Sequence, residues 1–97
     1  MAKIFIVEDD AMVASLIKQA LTKNQDNELF HFESAEDCLS SIHLNPDIVT
    51  IDYHLPGMNG LGLMRKIKDY NAGIMCVLVS GQDSLEVVVD SYKNGAT

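Results

Sequence analysis

Short apolar runs alternate with amphipathic stretches along this chain, and this alternation constrains the fold more than any other feature of the sequence. Residues 4–7, 48–51 and 74–79 contain only apolar or β-branched side chains. Strands covered by helices on both faces have this continuous apolar character, whereas half-exposed strands alternate. Residues 28–33 do alternate, which indicates a further, less strongly marked strand. The pattern predicts an α/β fold built on a parallel sheet.

Each predicted strand is followed by a stretch with apolar residues at helical spacing. The predicted helical stripes, in chain order, are Val13, Leu16, Ile17, Ala20 and Leu21; Ala35, Cys38, Leu39 and Ile42; Leu63, Met64, Ile67 and Tyr70; and Leu85, Val88, Val89 and Tyr92. Asp10 stands where the first helix should begin, and Ser34 and Asp37 have the spacing of a capping box at the second. The sequence therefore predicts four βα units in a doubly wound sheet.

The bulk composition indicates one acidic globular domain spanning residues 1–97. Its 14 acidic and 7 basic residues give a net charge of −7, which argues against direct nucleic-acid binding and suits cations or partners with a basic face. No apolar run approaches the ~18 residues of a membrane span, and the residues after Met1 lack the apolar core of a secretory signal. Cys38 and Cys76 lack metal-site spacing and indicate reduced thiols in a cytoplasmic protein.

Polar residues stand directly after three of the predicted strands. Glu8, Asp9 and Asp10 follow the first strand, Asp52 ends the third, and Ser80 follows the fourth. In open parallel sheets, ligands bind outside the carboxyl ends of the strands, at the point where the strand order reverses. If the first and third strands are neighbours, Asp52 faces the other acids, and Asp10 serves as the helix cap.

Carboxylates gathered in this way need a compensating charge. Two of them about 4 Å apart repel by about 4 kcal/mol at an effective dielectric of 20, so a proton or a cation must relieve the repulsion. Ligation by oxygen alone suits Mg²⁺ or Mn²⁺, which neutralises charge on a transferred phosphoryl group. One carboxylate could then act as the nucleophile and form an acyl phosphate. Ser80 and Gly81 would offer a hydroxyl and an open backbone to the phosphoryl oxygens. The three histidines, His31, His43 and His54, show no mutual spacing, which argues against a catalytic or metal-ligating role for their side chains.

The stretches KIFIVEDD, PDIVTIDYHLPGMNG, VLVSG and NGA resemble the receiver domain of two-component response regulators, in the order and spacing of that family. The resemblance implies a flavodoxin-like domain with strand order 2-1-3-4-5, phosphorylated by a sensor histidine kinase or a phosphotransfer protein and coupled to an output domain. It implies no enzymatic activity beyond the domain's own phosphorylation and dephosphorylation. The site residues it implies are Asp52 as phosphoacceptor; Glu8, Asp9, Asp52 and the His54 backbone carbonyl for Mg²⁺; Ser80 and Gly81 at the phosphoryl group; and Pro56 and Gly60 in the loop that shapes the site.

The sequence departs from the family pattern after residue 96. The family continues with a fifth strand, a lysine at its end and a fifth helix, so we expect a truncated receiver with order 2-1-3-4 and a weaker response to phosphorylation. Residues 74–79 would then form a sheet edge without a single charge. Long apolar edges pair with other chains, and we therefore expect self-association.

Two alternatives remain open at this point. A receiver that binds partners without being phosphorylated would contain the same acids. A metal-dependent phosphohydrolase with an aspartate nucleophile would also explain them, although such enzymes commonly have a second acid two residues after the nucleophile. His54 occupies that position here.

Overall fold

A computed structural model of the chain describes residues 2–22, 26–55 and 57–79. Its elements are β1 (Lys3–Val7), α1 (Ala11–Leu21), β2 (Glu28–Phe32), α2 (Ala35–Ser40), a 3₁₀ turn (Ile42–Leu44), β3 (Ile48–Asp52), α3 (Gly60–Tyr70) and β4 (Met75–Val79). The predicted fourth helix, together with Pro56, Ser80 and Gly81, lies outside the described residues.

The four strands form one parallel sheet in the order β2-β1-β3-β4. β1 lies between β2 and β3, and the register aligns Val7 with both Phe32 and Ile51. The carboxyl ends of these three strands therefore meet at one edge of the sheet. The predicted α/β class and the strand order 2-1-3-4 are confirmed.

Helices cover both faces of the sheet, which explains why the strands are apolar throughout. On one face, Phe5 and Val7 of β1 pack with residues of α2 and α3, and the Phe5 ring contacts Phe30 edge-on with centroids 5.5 Å apart. On the other face, Ile4 and Ile6 pack with residues of α1. Because successive strand residues point to opposite faces, β1 contributes to both halves of the core.

The helices begin at residues whose side chains accept hydrogen bonds from the first turn. The Asp10 carboxylate accepts from the N–H groups of Met12 (2.9 Å) and Val13 (3.3 Å), and Ser34 Oγ accepts from the N–H of Asp37 (3.1 Å). Asn59 Oδ1 accepts from the N–H of Gly62 at 2.8 Å. The predicted caps at Asp10 and Ser34 are confirmed. None of the helices in the described ranges has the length and apolar character needed to cross a bilayer.

Three helical stripes differ from the sequence prediction. The second helix ends at Ser40, and Ile42 lies in the 3₁₀ turn, because the Ser41 backbone departs from helical geometry with φ −111°. Ile42 is nevertheless buried, so its place in the core is retained. Leu16 and Tyr70 belong to predicted apolar stripes but are exposed, since each stands at the margin of a stripe whose centre already covers the sheet.

Candidate functional site

The site forms where β1 and β3 end side by side. Glu8 follows β1 directly, and its N–H donates a hydrogen bond to the Phe32 carbonyl at 3.0 Å, so its backbone stays aligned with β2. Asp52 is the last residue of β3 and pairs with Val79 of β4. Because β1 and β3 are parallel neighbours in register, the residues that follow them emerge together at the carboxyl edge.

Three carboxylates converge at this edge. One oxygen from each of Glu8, Asp9 and Asp52 lies within 4.8 Å of the other two. We call these three residues the acid cluster. Glu8 is only 4% exposed, whereas Asp52 is half-buried and Asp9 is exposed. The acid cluster is thus buried at Glu8 and open to solvent at Asp9, and Asp52 is partly accessible to solvent.

The buried member of the acid cluster is electrostatically strained. Burial is the main cause that raises the pKa of Glu8, from 4.5 to about 8; the hydrogen bond and charge of Asp52 and a contact with Asp9 raise it further. The Asp10 N–H opposes this rise by donating to Glu8 Oε2 at 3.1 Å. At neutral pH and without a cation, Glu8 therefore retains a proton. A carboxyl group that keeps its proton because it is buried beside other carboxylates is suited to exchange that proton for a divalent ion.

The loop after β3 is held against the sheet. The His54 N–H donates to Asp52 Oδ1 at 3.0 Å and so orients the carboxylate. The His54 ring is exposed and meets the Tyr53 ring edge-on, with centroids 5.2 Å apart. Leu55 is buried in the core face shared by α2 and α3, which anchors the loop.

Gly60 allows α3 to begin in contact with the acid cluster. Its N–H donates to the Tyr53 carbonyl at 3.1 Å. A Cβ at this position would lie 2.8 Å from the Asp52 carbonyl oxygen and 2.9 Å from Tyr53 Cα, closer than such atoms can approach. A residue with a side chain would therefore displace either the start of α3 or the backbone that carries Asp52.

One contact at the site was missed by the sequence analysis. Nε2 of His31, on β2, lies 2.8 Å from the Glu8 carbonyl oxygen. The sequence contains no spacing that links the two residues, which are 23 positions apart. Only the register of β1 against β2 brings them together.

Comparison with known proteins identifies the family. The sequence model of the response regulator receiver domain family matches residues 4–97 of this chain. The chain belongs to this family. The resemblance noted in the sequence is thereby confirmed, and the domain is a signalling module of two-component systems.

Several relatives contain this receiver domain as part of a longer chain. The transcriptional regulatory protein MalR of Bacillus subtilis is 31% identical over 100 residues, which cover 99% of this chain and 42% of MalR. The DNA-binding transcriptional regulator NtrC of Klebsiella pneumoniae is 29% identical over 93 residues, covering 95% of this chain and 20% of NtrC. The chain thus spans less than half the length of either relative. The chemotaxis protein CheY of Bacillus subtilis is 28% identical over 95 residues, covering 97% of this chain and 79% of CheY.

Solved structures agree with the receiver fold. A response regulator receiver domain protein from Clostridium thermocellum superposes with a TM-score of 0.75 at 25% identity, covering 99% of this chain and 78% of that one. The receiver domain of NtrX from Brucella abortus superposes with a TM-score of 0.72 at 27% identity, covering 96% and 79%.

Proposed function

We propose that this receiver domain is a phosphoacceptor switch of a two-component phosphorelay and that Asp52 accepts the phosphoryl group. The observation that carries the proposal is the acid cluster, in which Asp52 presents a partly exposed carboxylate beside the oxygens of Glu8 and Asp9. The family supports it, because receiver domains are signalling modules. A sensor histidine kinase or a phosphotransfer protein would be the donor, and an output domain would be the recipient of the signal.

A divalent cation fits the residues present. Glu8, Asp9 and Asp52 offer only oxygen ligands, the donor type that Mg²⁺ and Mn²⁺ prefer. The proton that burial and crowding keep on Glu8 marks a place where positive charge is stabilised. These three side chains and the His54 backbone carbonyl would hold the ion. When bound, it supplies neutralising charge to the oxygens of the transferred group.

The chain's own residues account for the transfer step. A carboxylate oxygen of Asp52 attacks the phosphorus of a phosphohistidine, the P–N bond breaks, and the departing imidazole nitrogen takes up a proton. The His54 N–H holds Asp52 Oδ1, so it limits rotation of the carboxylate during attack. Gly60 and Pro56 would shape the loop, and the Ser80 hydroxyl with the Gly81 backbone would receive the phosphoryl oxygens.

The output follows from a population shift. The phosphoryl group carries roughly −1.5 to −2 charges at neutral pH and replaces the single negative charge of the Asp52 carboxylate, so the net change is about −0.5 to −1. It favours whichever arrangement of the surrounding loops makes more contacts with it, by no more than the difference in its affinity for the two arrangements. A partner that recognises the favoured arrangement then reads the signal.

Labelling with a phosphorylated phosphotransfer protein or with acetyl phosphate tests the proposal. With Mg²⁺, intact mass should rise by one phosphoryl group per chain, and hydroxylamine should remove it, as expected for an acyl phosphate. A chelator should prevent the reaction. Asp52→Asn should abolish labelling, whereas Asp69→Asn, which removes an exposed acid of α3, should leave it unchanged.

Three results would contradict the proposal. Stoichiometric labelling of Asp52→Asn would exclude Asp52 as the acceptor. Binding of Mg²⁺ without labelling by either donor would favour a binding-only receiver. Multiple turnover on a generic phosphate ester would favour a phosphohydrolase.

A further inference from the structure

We propose that His31 is a positioning residue for the acid cluster: its ring N–H holds the Glu8 carbonyl and thereby fixes the peptide from which the Glu8 and Asp9 carboxylates turn towards Asp52. This inference rests on the proposed function in one respect, because divalent-ion binding is its main readout. The contact on which it depends stands independently of any ion.

The His31 contact has a defined direction. Nε2 lies 2.8 Å from the Glu8 carbonyl oxygen, a normal hydrogen-bond distance. A carbonyl oxygen can only accept, so Nε2 must carry the proton whether the ring is neutral or charged. His31 is half-buried, and in the β1–β2 register it pairs with Ile6. A strand residue of β2 therefore reaches forward, past the end of β1, to the first peptide of the acidic turn.

The bond is placed where the backbone ladder stops. β2 ends at Phe32, and the Glu8 N–H donates to the Phe32 carbonyl at 3.0 Å. In a parallel ladder the next bond would come from a β2 residue two positions further on. That position is Ser34, and no bond from its N–H to the Glu8 carbonyl is present among the described residues. The His31 side chain supplies a donor to Glu8 at the point where the strand can no longer do so.

The peptide held by His31 joins two of the three residues of the acid cluster, Glu8 and Asp9. The Glu8 carbonyl belongs to the peptide unit that joins Glu8 to Asp9, so its orientation sets the directions of both side chains. Asp9 is exposed and gains little from packing, which makes its position depend on the backbone. Glu8 is additionally held by the Asp10 N–H at 3.1 Å. We therefore expect loss of the His31 bond to affect the placement of Asp9 more than that of Glu8.

The first experiment measures Mg²⁺ affinity by calorimetry in matched variants. His31→Leu removes the donor and fills its place with an apolar side chain. Mg²⁺ should then bind about tenfold more weakly, which is the low end of the range for residues that orient metal ligands. His31→Gln places an amide N–H near the position of Nε2 and should restore affinity to within about threefold of wild type. His43→Leu removes an exposed histidine of the 3₁₀ turn and should change nothing. If His31→Gln restores Mg²⁺ affinity, the loss in His31→Leu is due to the missing hydrogen bond to the Glu8 carbonyl and not to poorer packing. Affinity of His31→Leu within twofold of wild type would overturn the inference.

The second experiment is independent of the metal. In the ion-free protein, the amide ¹⁵N resonance of Asp9 reports the hydrogen bond to the preceding Glu8 carbonyl. It should shift in His31→Leu and stay near its wild-type position in His31→Gln and His43→Leu. If wild type fails to bind Mg²⁺ yet this resonance shifts as described, the metal assignment fails and the role of His31 in holding the acidic turn stands. An unchanged resonance in His31→Leu would refute that role regardless of the metal result.

Discussion

Replacement of Asp52 by asparagine should stabilise the metal-free protein, because it removes the negative charge of one of the three crowded carboxyl groups. Two unit charges 4.8 Å apart, the upper limit of the oxygen separations in the acid cluster, repel by about 3.5 kcal/mol at an effective dielectric of 20 and about 0.9 kcal/mol in bulk water. Asp52 is half-buried, so the gain should lie between these limits, at about 1–3 kcal/mol. The His54 N–H can still donate to the asparagine oxygen, so this hydrogen bond is retained.

The stabilisation should depend on pH. The pKa of Glu8 is about 8 in the folded protein against 4.5 for a free side chain, so between these values the folded state binds the additional proton. The free energy of unfolding of the metal-free wild type therefore falls as pH rises through this window. Asp52→Asn removes a charge and an interaction that raise this pKa, so the decline should be shallower in the variant. Its advantage over wild type should be larger at pH 9 than at pH 6.

Urea denaturation with a chelator, at low salt and at both pH values, measures these differences. Asp69→Asn is the matched control, because it makes the same chemical change at an exposed position of α3. If Asp52→Asn and Asp69→Asn are equally stable at both pH values, the three carboxylates do not interact in solution. The electrostatic reasoning would then be refuted.

Further predictions concern the ion, the loop and the core. Mg²⁺ affinity should rise at least tenfold between pH 6 and 8 by calorimetry, since the ion displaces the Glu8 proton, whose pKa is about 8; equal affinities would contradict this. Gly60→Ala should lower the free energy of unfolding by about 1–3 kcal/mol, because its Cβ overlaps the Asp52 carbonyl; an unchanged urea midpoint would contradict the contact. Thr50→Val should raise that free energy by about 1 kcal/mol, because Thr50 Oγ1 is buried and lacks a hydrogen-bond partner among the described residues; destabilisation would indicate a partner.

Sequence reasoning was most successful where one physical constraint dominates. The continuous apolar run of β1 requires burial on both faces, and Ile4 and Phe5 do pack on opposite sides of the sheet. The approach of Asp52 to Glu8 also follows from the topology, because parallel neighbours end at the same edge. The first feature depends on a pattern of a few adjacent residues, and the second depends on the strand order that the resemblance to receiver domains implies.

Features that depend on competing local interactions or on exact register were not predictable. The end of α2 at Ser40 reflects a backbone change at Ser41 that the apolar spacing does not encode. The His31 contact requires a specific alignment of β1 with β2, which the alternation of β2 leaves open. The approach of Gly60 to the Asp52 carbonyl is likewise a matter of ångströms, whereas the sequence indicates only a turn.

Asp10 connects the acidic edge to the body of the domain. Its N–H donates to Glu8 Oε2 at 3.1 Å, while its own carboxylate accepts from the first turn of α1. A displacement of the Glu8 side chain must therefore either break the first bond or carry the beginning of α1 with it. Through Asp10, a change of charge in the acid cluster can displace α1, which lies on the opposite side of the sheet from α2 and α3.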